Sequence, residues 1–459
     1  MKSFFYFLSL CFLLWSCDPH GWDTPPEDDI VFENVNILPM NSEAEMLEGQ
    51  TVVVRSGYID EMGPKGAVRI RKGAQVIDGT GKYLMPGLTE MHAHIPVPQE
   101  GNDTLVKETL FLYLSQGITT IRGMLGNPYH LQLKEMITKE EILSPRVYTS
   151  SPSCNGNTIP TKAVAEEKVR QYQKDGYDFL KIHPGIKADV MERLVEVAKE
   201  VDIPFSGHVP AEVGVRKAIE YGYGTIDHLD GYITGMAPEG SSADDGGFFG
   251  MAFTDQASEE RMDELVAKTK AAGVAVVPTQ TLFTRWISPG DPAKLIQEPE
   301  IQYMPAKTRY QWRMSKQQML AEPDYSAEQQ ARFVVLRQRL LRKLFDAGVP
   351  ILLGSDAPQV FNVPGFSILH ELEDMVDAGL PVKDVLISGT SGPAAFFGAE
   401  WQYGKVEMGS FADLILLNAN PLTDISNVRN QEGVMVRGKW LSKETIAERL
   451  AEIKKRNAQ

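Results

Sequence analysis

The sequence predicts a (β/α)₈ barrel of TIM type with a small β-sandwich domain built from both chain ends. Three observations predict it. Short apolar runs alternate with helix-length segments through the middle of the chain, the pattern of a parallel sheet with crossover helices. Eight such runs can be counted, which favours a closed barrel over an open sheet. Short β-branched runs separated by Gly, Asn or Pro turns lie at both ends and bracket that region.

The chain has 459 residues, enough for one large domain and a smaller one. Lys2 precedes an apolar run from Phe4 to Trp15 that is too short to span a bilayer comfortably, so residues 1–17 read as an export signal. The run ends in Leu14-Trp15-Ser16-Cys17, which resembles a bacterial lipobox, where cleavage precedes a cysteine that is then lipidated. The expected location is the cell envelope, anchored through Cys17, with an ordinary cleaved signal and a soluble periplasmic protein as the alternative. Residues 18–28, rich in Asp, Glu, Pro and Gly, read as a tether.

The first part of the β-sandwich is expected over 29–84, from the runs Val31–Val35, Thr51–Val54 and Gln75–Ile77. Its second part is expected over 401–445, from Asp413–Leu417 and Gly433–Val436, with 446–459 left as a C-terminal helix or tail. The barrel is expected over 85–400. Its candidate strands are Leu84–His92, Ile118–Arg122, Arg146–Ser150, Phe179–His183, Pro204–His208, Thr225–Leu229, Val274–Thr279 and Pro350–Ser355. Insertions near 230–258 and 283–327 are too long for plain crossovers and read as lids over the mouth. The aromatics Phe283, Trp286, Tyr303, Tyr310 and Trp312 of the second could line a substrate pocket or pack the insertion onto the barrel.

Composition narrows the partners. Lys and Arg number 46 against 61 Asp and Glu, a net charge of −15, so the surface repels nucleic acid and offers no broad basic patch to anionic lipid. A small-molecule substrate is expected, and a homo-oligomer is left open. Cys11 and Cys17 belong to the signal, which leaves Cys154 alone in the mature body and no internal disulfide. Nothing in Ser153-Cys154-Asn155-Gly156 supplies a base for it, so it reads as a lone loop thiol.

The chemistry is carried by residues at strand ends, where barrels place catalytic groups. His92-Ala93-His94 closes the first strand, and the two-residue period puts both imidazoles on one face. Lys181 lies near the end of the fourth strand, His208 ends the fifth, His228 the sixth, and Asp356 follows the eighth. Each alone is a weak signal; six at the ends of five strands are not.

With Asp78-Gly79, Met85-Pro86-Gly87-Leu88, His92-Ala93-His94 and the stretch from Gly404 to Leu414, the sequence resembles the amidohydrolase superfamily, in its imidazolonepropionase-like and Xaa-Pro dipeptidase-like branch. The resemblance covers nearly all the chain after residue 28. It implies two divalent metal ions, zinc first, with manganese, iron or cobalt as alternatives. It implies that His92, His94 and Asp356 hold one ion, His208 and His228 the other, and that Lys181, carboxylated on its amine, bridges them. It further implies hydrolysis of an amide-type C–N bond by a metal-bridging hydroxide, with Asp356 as general base and then acid. A dipeptide or an N-acyl amino acid is the expected substrate.

Tyr232, four residues after His228, is a candidate for substrate binding, and packing is its equal alternative. His183 shares the strand face of Lys181 and reads as supporting or structural. Asp227 and Asp230 flank His228 and read as orienting it, or more simply as solvated loop carboxylates. Glu212 follows His208 at a spacing one longer than the H-x-x-E of mononuclear deaminases. Arg122 ends strand two, where it could meet a substrate carboxylate; His130 and His370 show no partner. The strand-two end lacks the aspartate that follows the arginine in many relatives. Two other readings stand beside the binuclear one: a mononuclear hydrolase of a cyclic amide or a deaminase, and a non-catalytic surface-binding lipoprotein.

Overall fold

The computed structural model describes residues 29–41 and 43–458. The expected signal, Cys17 and the tether lie outside the described residues. Among those described, no helix is long and apolar enough to cross a membrane.

Five strands come first: β1 (Ile30–Ile37), β2 (Leu47–Arg55), β3 (Tyr58–Pro64), β4 (Gln75–Asp78) and β5 (Tyr83–Pro86). The central region holds β6 (Leu88–Ala93), β7 (Ile118–Gly123), β8 (Arg146–Thr149), β9 (Leu180–Ile182), β10 (Phe205–Gly207), β11 (Thr225–Asp227) and β12 (Ala275–Val277). Three more close the chain: β13 (Leu414–Leu417), β14 (Gln431–Val436) and β15 (Lys439–Ser442). One sheet draws on both ends, in the order β15-β14-β13-β5-β1-β2-β3, with β4 paired to β1. Every β-branched run expected at the two ends falls within it.

The expected first barrel strand, Leu84–His92, proves to be two. β5 pairs antiparallel with β13 in the terminal sheet, whereas β6 pairs parallel with β7. Gly87 is the joint: a Cβ there would meet Thr119 Oγ1 at 2.1 Å, so only glycine lets the chain pass this close to β7.

The central strands run parallel, in the orders β6-β7-β8 and β9-β10-β11-β12. Single parallel bridges link Ser150 to Phe179, Val276 to Ile351 and Ala93 to Ala357. The expected eighth strand, Pro350–Ser355, is held by such single contacts, including Met91 N to Leu353 O at 2.8 Å and Asp356 N to His92 O at 3.0 Å. All residues of β6, β7 and β9 to β12 are buried, because helices cover the outer face of each strand.

A helix follows each strand position: Thr104–Ser115, Pro128–Thr138, Lys162–Asp175, Ala188–Glu200, Gly214–Tyr221, Glu259–Ala272, Ala327–Asp346 and Phe366–Asp377. Local chemistry sets their limits. Ser258 Oγ accepts from Arg261 N at the start of Glu259–Ala272, and Gly273, at φ +68°, ends it. The Ala188–Glu200 helix buries Val190, Met191, Leu194, Val195 and Ala198, a single stripe at helical spacing. The two insertions are helical themselves, and of the second one's aromatics Tyr310 is exposed while others pack onto the barrel side. Phe283 and Trp312 are buried, and Tyr303 stacks on Phe366 at 5.2 Å. The C-terminal segment is a helix, Lys443–Asn457, that buries Ile446 and Ile453.

Candidate metal centre

β6 carries alternating polar side chains on one face, Glu90 and His92, and His94 continues that face beyond its end. Asp356 arrives from the eighth strand position. His92, His94 and Asp356 present ligand atoms that all lie within 4.8 Å of one another. His94 Nε2 is 2.7 Å from Asp356 Oδ1, and His92 Nε2 is 3.5 Å from the same oxygen.

The remaining imidazoles extend this group in a row. The rings of His92 and His228 are 4.4 Å apart, those of His228 and His208 4.6 Å, and those of His208 and His183 5.3 Å. Burial disfavours the imidazolium, so His92 and His228 are held well below their ordinary range and stay neutral, the form that ligates metal. Each ring is turned by a neighbour. His208 Nδ1 lies 3.0 Å from Asp230 Oδ2, His228 Nδ1 2.8 Å from Thr279 Oγ1, and His92 Nδ1 3.1 Å from Asp227 Oδ2. With Nδ1 so engaged in His208 and His228, Nε2 is the nitrogen those two rings have for a cation.

Lys181 on β9 is fully buried, its Nζ 3.8 Å from Asp227 Oδ2. Gly207 makes room for it: a Cβ there would lie 3.0 Å from Lys181 Cδ. Burial lowers the Lys181 amine to about 8, against the opposing pull of Asp227 and Asp356. Lys181 Nζ, His92 Nδ1 and Asp227 Oδ2 are all buried without a hydrogen-bond partner. Neutral imidazoles, a carboxylate and an orphaned buried amine form a donor set that fits divalent cations.

Two expectations about neighbours need correction. Asp227 is not a solvated loop carboxylate: it is fully buried, accepts from Arg122 Nη2 at 3.2 Å and Thr225 Oγ1 at 2.6 Å, and faces His92 rather than His228. Burial alone would raise its carboxyl, but Arg122 and Lys181 outweigh that and hold it below the ordinary range. Asp230 orients His208, not His228. Arg122 is correspondingly committed, bonded also to Met91 O and Thr225 Oγ1, and does not reach toward a substrate. Asp227→Ala would strand Arg122 and Lys181 as buried cations. It is expected to cost about 3–5 kcal/mol in urea unfolding of the metal-free protein, and a loss under about 1 kcal/mol would refute this role.

Tyr232 is not brought to the cluster. It is fully buried, its hydroxyl bonded to Thr269 Oγ1 at 2.7 Å on the Glu259–Ala272 helix, which is the packing alternative. Glu212 is exposed and accepts from Ala188 N, away from the histidines. Cys154 is buried, and burial pushes its thiol up to about 12, so it is no nucleophile. His183 Nδ1 meets Ser153 Oγ at 2.9 Å. His370 Nε2 meets Glu300 Oε1 at 2.8 Å in an ion-pair network with Glu298, Arg285, Glu373 and Arg429.

Two supporting residues escaped the sequence reading. Glu90 is fully buried and accepts from His92 N (2.8 Å), Ser355 N (2.9 Å) and Ser355 Oγ (2.5 Å), so it ties the first strand's ligands to the segment bearing Asp356. A glutamate two residues before H-x-H, on the same face of a buried strand, is a signal that could have found it. Arg337, on the Ala327–Asp346 helix, donates to His228 O at 2.6 Å, Pro278 O at 2.8 Å and Gln280 Oε1 at 3.2 Å. Its partners adjoin strained backbone: His228 and Leu229 lie at φ 62° and 51°, and Thr279 at φ 46°, conformations that side chains with a Cβ adopt only when held. An arginine in line with Phe333, Leu340 and Leu344 on a buried helix face was its only trace in the sequence.

The amidohydrolase family model matches residues 83–441, and the chain belongs to that family. These are hydrolytic enzymes acting on carbon–nitrogen bonds. An adenine deaminase from Ruegeria sp. (strain TM1040) is 31% identical over 114 residues, which are 24% of this chain and 18% of that protein, so the chain spans well under two thirds of that relative. Among solved structures, a bottromycin amidohydrolase superposes with a TM-score of 0.70 at 22% identity, over 95% of this chain and 92% of the other. A Xaa-Pro dipeptidase with methionine bound in its active site gives 0.64 at 20% identity, over 90% and 100%. At these identities the two structures speak for the shared fold.

Proposed function

We propose that this protein is a binuclear metal-dependent amidohydrolase that cleaves an amide-type C–N bond in a dipeptide or an N-acyl amino acid. The observation that carries this reading is the meeting of His92, His94 and Asp356, continued by the rings of His228 and His208, with the buried Lys181 amine acting on His92 and His228 and making no hydrogen bond. The architecture proposed around it is one closed eight-stranded barrel beside a β-sandwich, supported by the bridges Ser150–Phe179, Val276–Ile351 and Ala93–Ala357 that join the separate parallel sheets.

His92, His94 and Asp356 would hold one cation, His208 and His228 the second, and a carboxylated Lys181 both. Zinc suits these donors best. Bound there, the cations supply Lewis-acid activation of water and of the substrate carbonyl. The protein's own groups do the rest. Asp356 accepts the proton of the attacking water and returns it to the leaving nitrogen, its backbone N–H bonded to His92 O at 3.0 Å to keep it beside the ligands of the first strand. Asp230 and Thr279 hold the His208 and His228 rings by Nδ1 and leave Nε2 for a cation.

His92→Ala or His94→Ala is expected to lower bound metal and cut turnover by roughly 10³-fold or more while circular dichroism stays that of the parent, because both side chains line the mouth. Elemental analysis and a screen of dipeptides, N-acyl amino acids and cyclic amides check it. Full activity with either histidine replaced would sink the assignment. A mononuclear deaminase is the second reading, favoured by the similarity to an adenine deaminase; one metal per active chain would support it, whereas the outward Glu212 weighs against it.

Export and anchoring through Cys17 belong to the same proposal, and rest on the sequence alone. Cys17→Ser is expected to move the protein from the membrane to the soluble fraction. Identical fractionation of parent and variant would exclude a lipid anchor.

A further inference from the structure

A cavity of about 660 Å³ opens beside His208, between the turn leading into the Gly214–Tyr221 helix and the first insertion. That is the size of a small-molecule pocket. Val209, Val213 and Val215 form one wall, and Phe248 and Phe249 the other. Phe249 is also a wall of the metal centre: its ring centroid lies 6.1 Å from that of His208 and 5.7 Å from that of His228. It sits at φ 49° and ψ 30°, a left-handed conformation, and its ring packs edge-on against Phe283 at 5.0 Å. The cavity and the histidine row are therefore neighbours across one aromatic ring, with His208 common to both.

The charges at its edge are already matched. Asp230 accepts from Val209 N and faces His208 Nδ1. Arg216 makes a two-point pair with Glu264, at 3.0 and 2.7 Å, and donates to Gly235 O. An ionised ligand group placed here would lose its water without gaining a counter-charge, whereas an apolar group loses only unfavourable contact with water.

We infer that this cavity receives an uncharged apolar group of the substrate, an alkyl chain or aromatic ring adjoining the scissile C–N bond. The inference rests on the hydrolase reading and deepens it: large apolar acyl or side-chain groups are preferred over small or charged ones. Val213 and Ala211 lie at the rim, and tryptophan at either position would fill the space.

The test is calorimetric binding of acetohydroxamate and octanohydroxamate to the zinc-loaded full chain, because both share a metal-seeking head and differ by six carbons of apolar tail. Octanohydroxamate is expected to bind at least about 30-fold tighter to the parent, well within what burial of methylenes supplies. In Ala211→Trp and Val213→Trp, at the parent's zinc content, that ratio is expected to fall below about 3-fold. Equal affinities in the parent, or a ratio retained in both variants, would overturn the cavity assignment while leaving the metal centre standing. If neither hydroxamate binds the zinc-loaded parent, the metal-centre reading fails and the cavity inference falls with it.

Discussion

Lys181→Ala is expected to leave at most one metal per chain and to lower kcat/KM by roughly 10³-fold or more, several kcal/mol of lost electrostatic stabilisation. The reason lies in where the amine is. Lys181 Nζ is buried, 3.8 Å from a single carboxylate oxygen, makes no hydrogen bond and acts by its charge on His92, His183 and His228. As an ammonium it would repel the cations those rings attract. Burial lowers its pKa to about 8, so more of the amine is neutral at pH 7 than in a solvated lysine. The neutral amine is the form that reacts with CO₂, and the product carries two oxygens for two ions. Added formate or acetate is accordingly expected to restore part of both the metal content and the rate to Lys181→Ala, by filling the space between the ions. Two metals per chain and undiminished turnover in the variant would rule out the bridge.

Asp356→Asn is expected to lower kcat by about 10²–10⁴-fold, the range for loss of a positioned acid–base group, with metal content retained. Asparagine keeps the shape and one side-chain oxygen, but it cannot take up a proton. The backbone places this group deliberately: Asp356 is left-handed, at φ 62°, and its N–H bonds His92 O at 3.0 Å. The carboxylate is therefore tied to the same strand as His92 and His94. Elemental analysis beside steady-state kinetics separates the two roles of the residue, since loss of metal in the variant would mark Asp356 as a ligand alone.

Much of the centre was legible because parallel strands set their carboxyl ends side by side. His92 and His94 could be paired from a two-residue period, and His208, His228, Lys181 and Asp356 from their places at the ends of apolar runs. The supporting residues were not legible in the same way. Asp227 and Asp230 both flank His228 in sequence, yet they face His92 and His208, because side chains at a strand end meet groups from other strands rather than their neighbours along the chain: Asp227 reaches β6, which does not pair with β11, and Asp230 the residue that follows the adjoining β10. Tyr232 failed for a related reason: it opens a short helix, and its side chain turns outward to Thr269.

By itself, the sequence determined the alternation of strands and helices, the strand-end positions of the six candidate ligands, and the membership of both termini in one β-module. These are local properties: hydrophobic period, turn residues and the spacing of polar groups carry them directly. Only the tertiary structure decided that Leu84–His92 is two strands broken at Gly87, and that Asp227 joins Arg122, Lys181 and His92. It also decided that Arg337 steadies His228 from a helix 109 residues away, and that the first insertion, not the second, brings an aromatic ring to the histidines. The physical reason is that such contacts are chosen by close packing and by the need to pair every buried charge, and both depend on which distant segments the folded chain sets side by side.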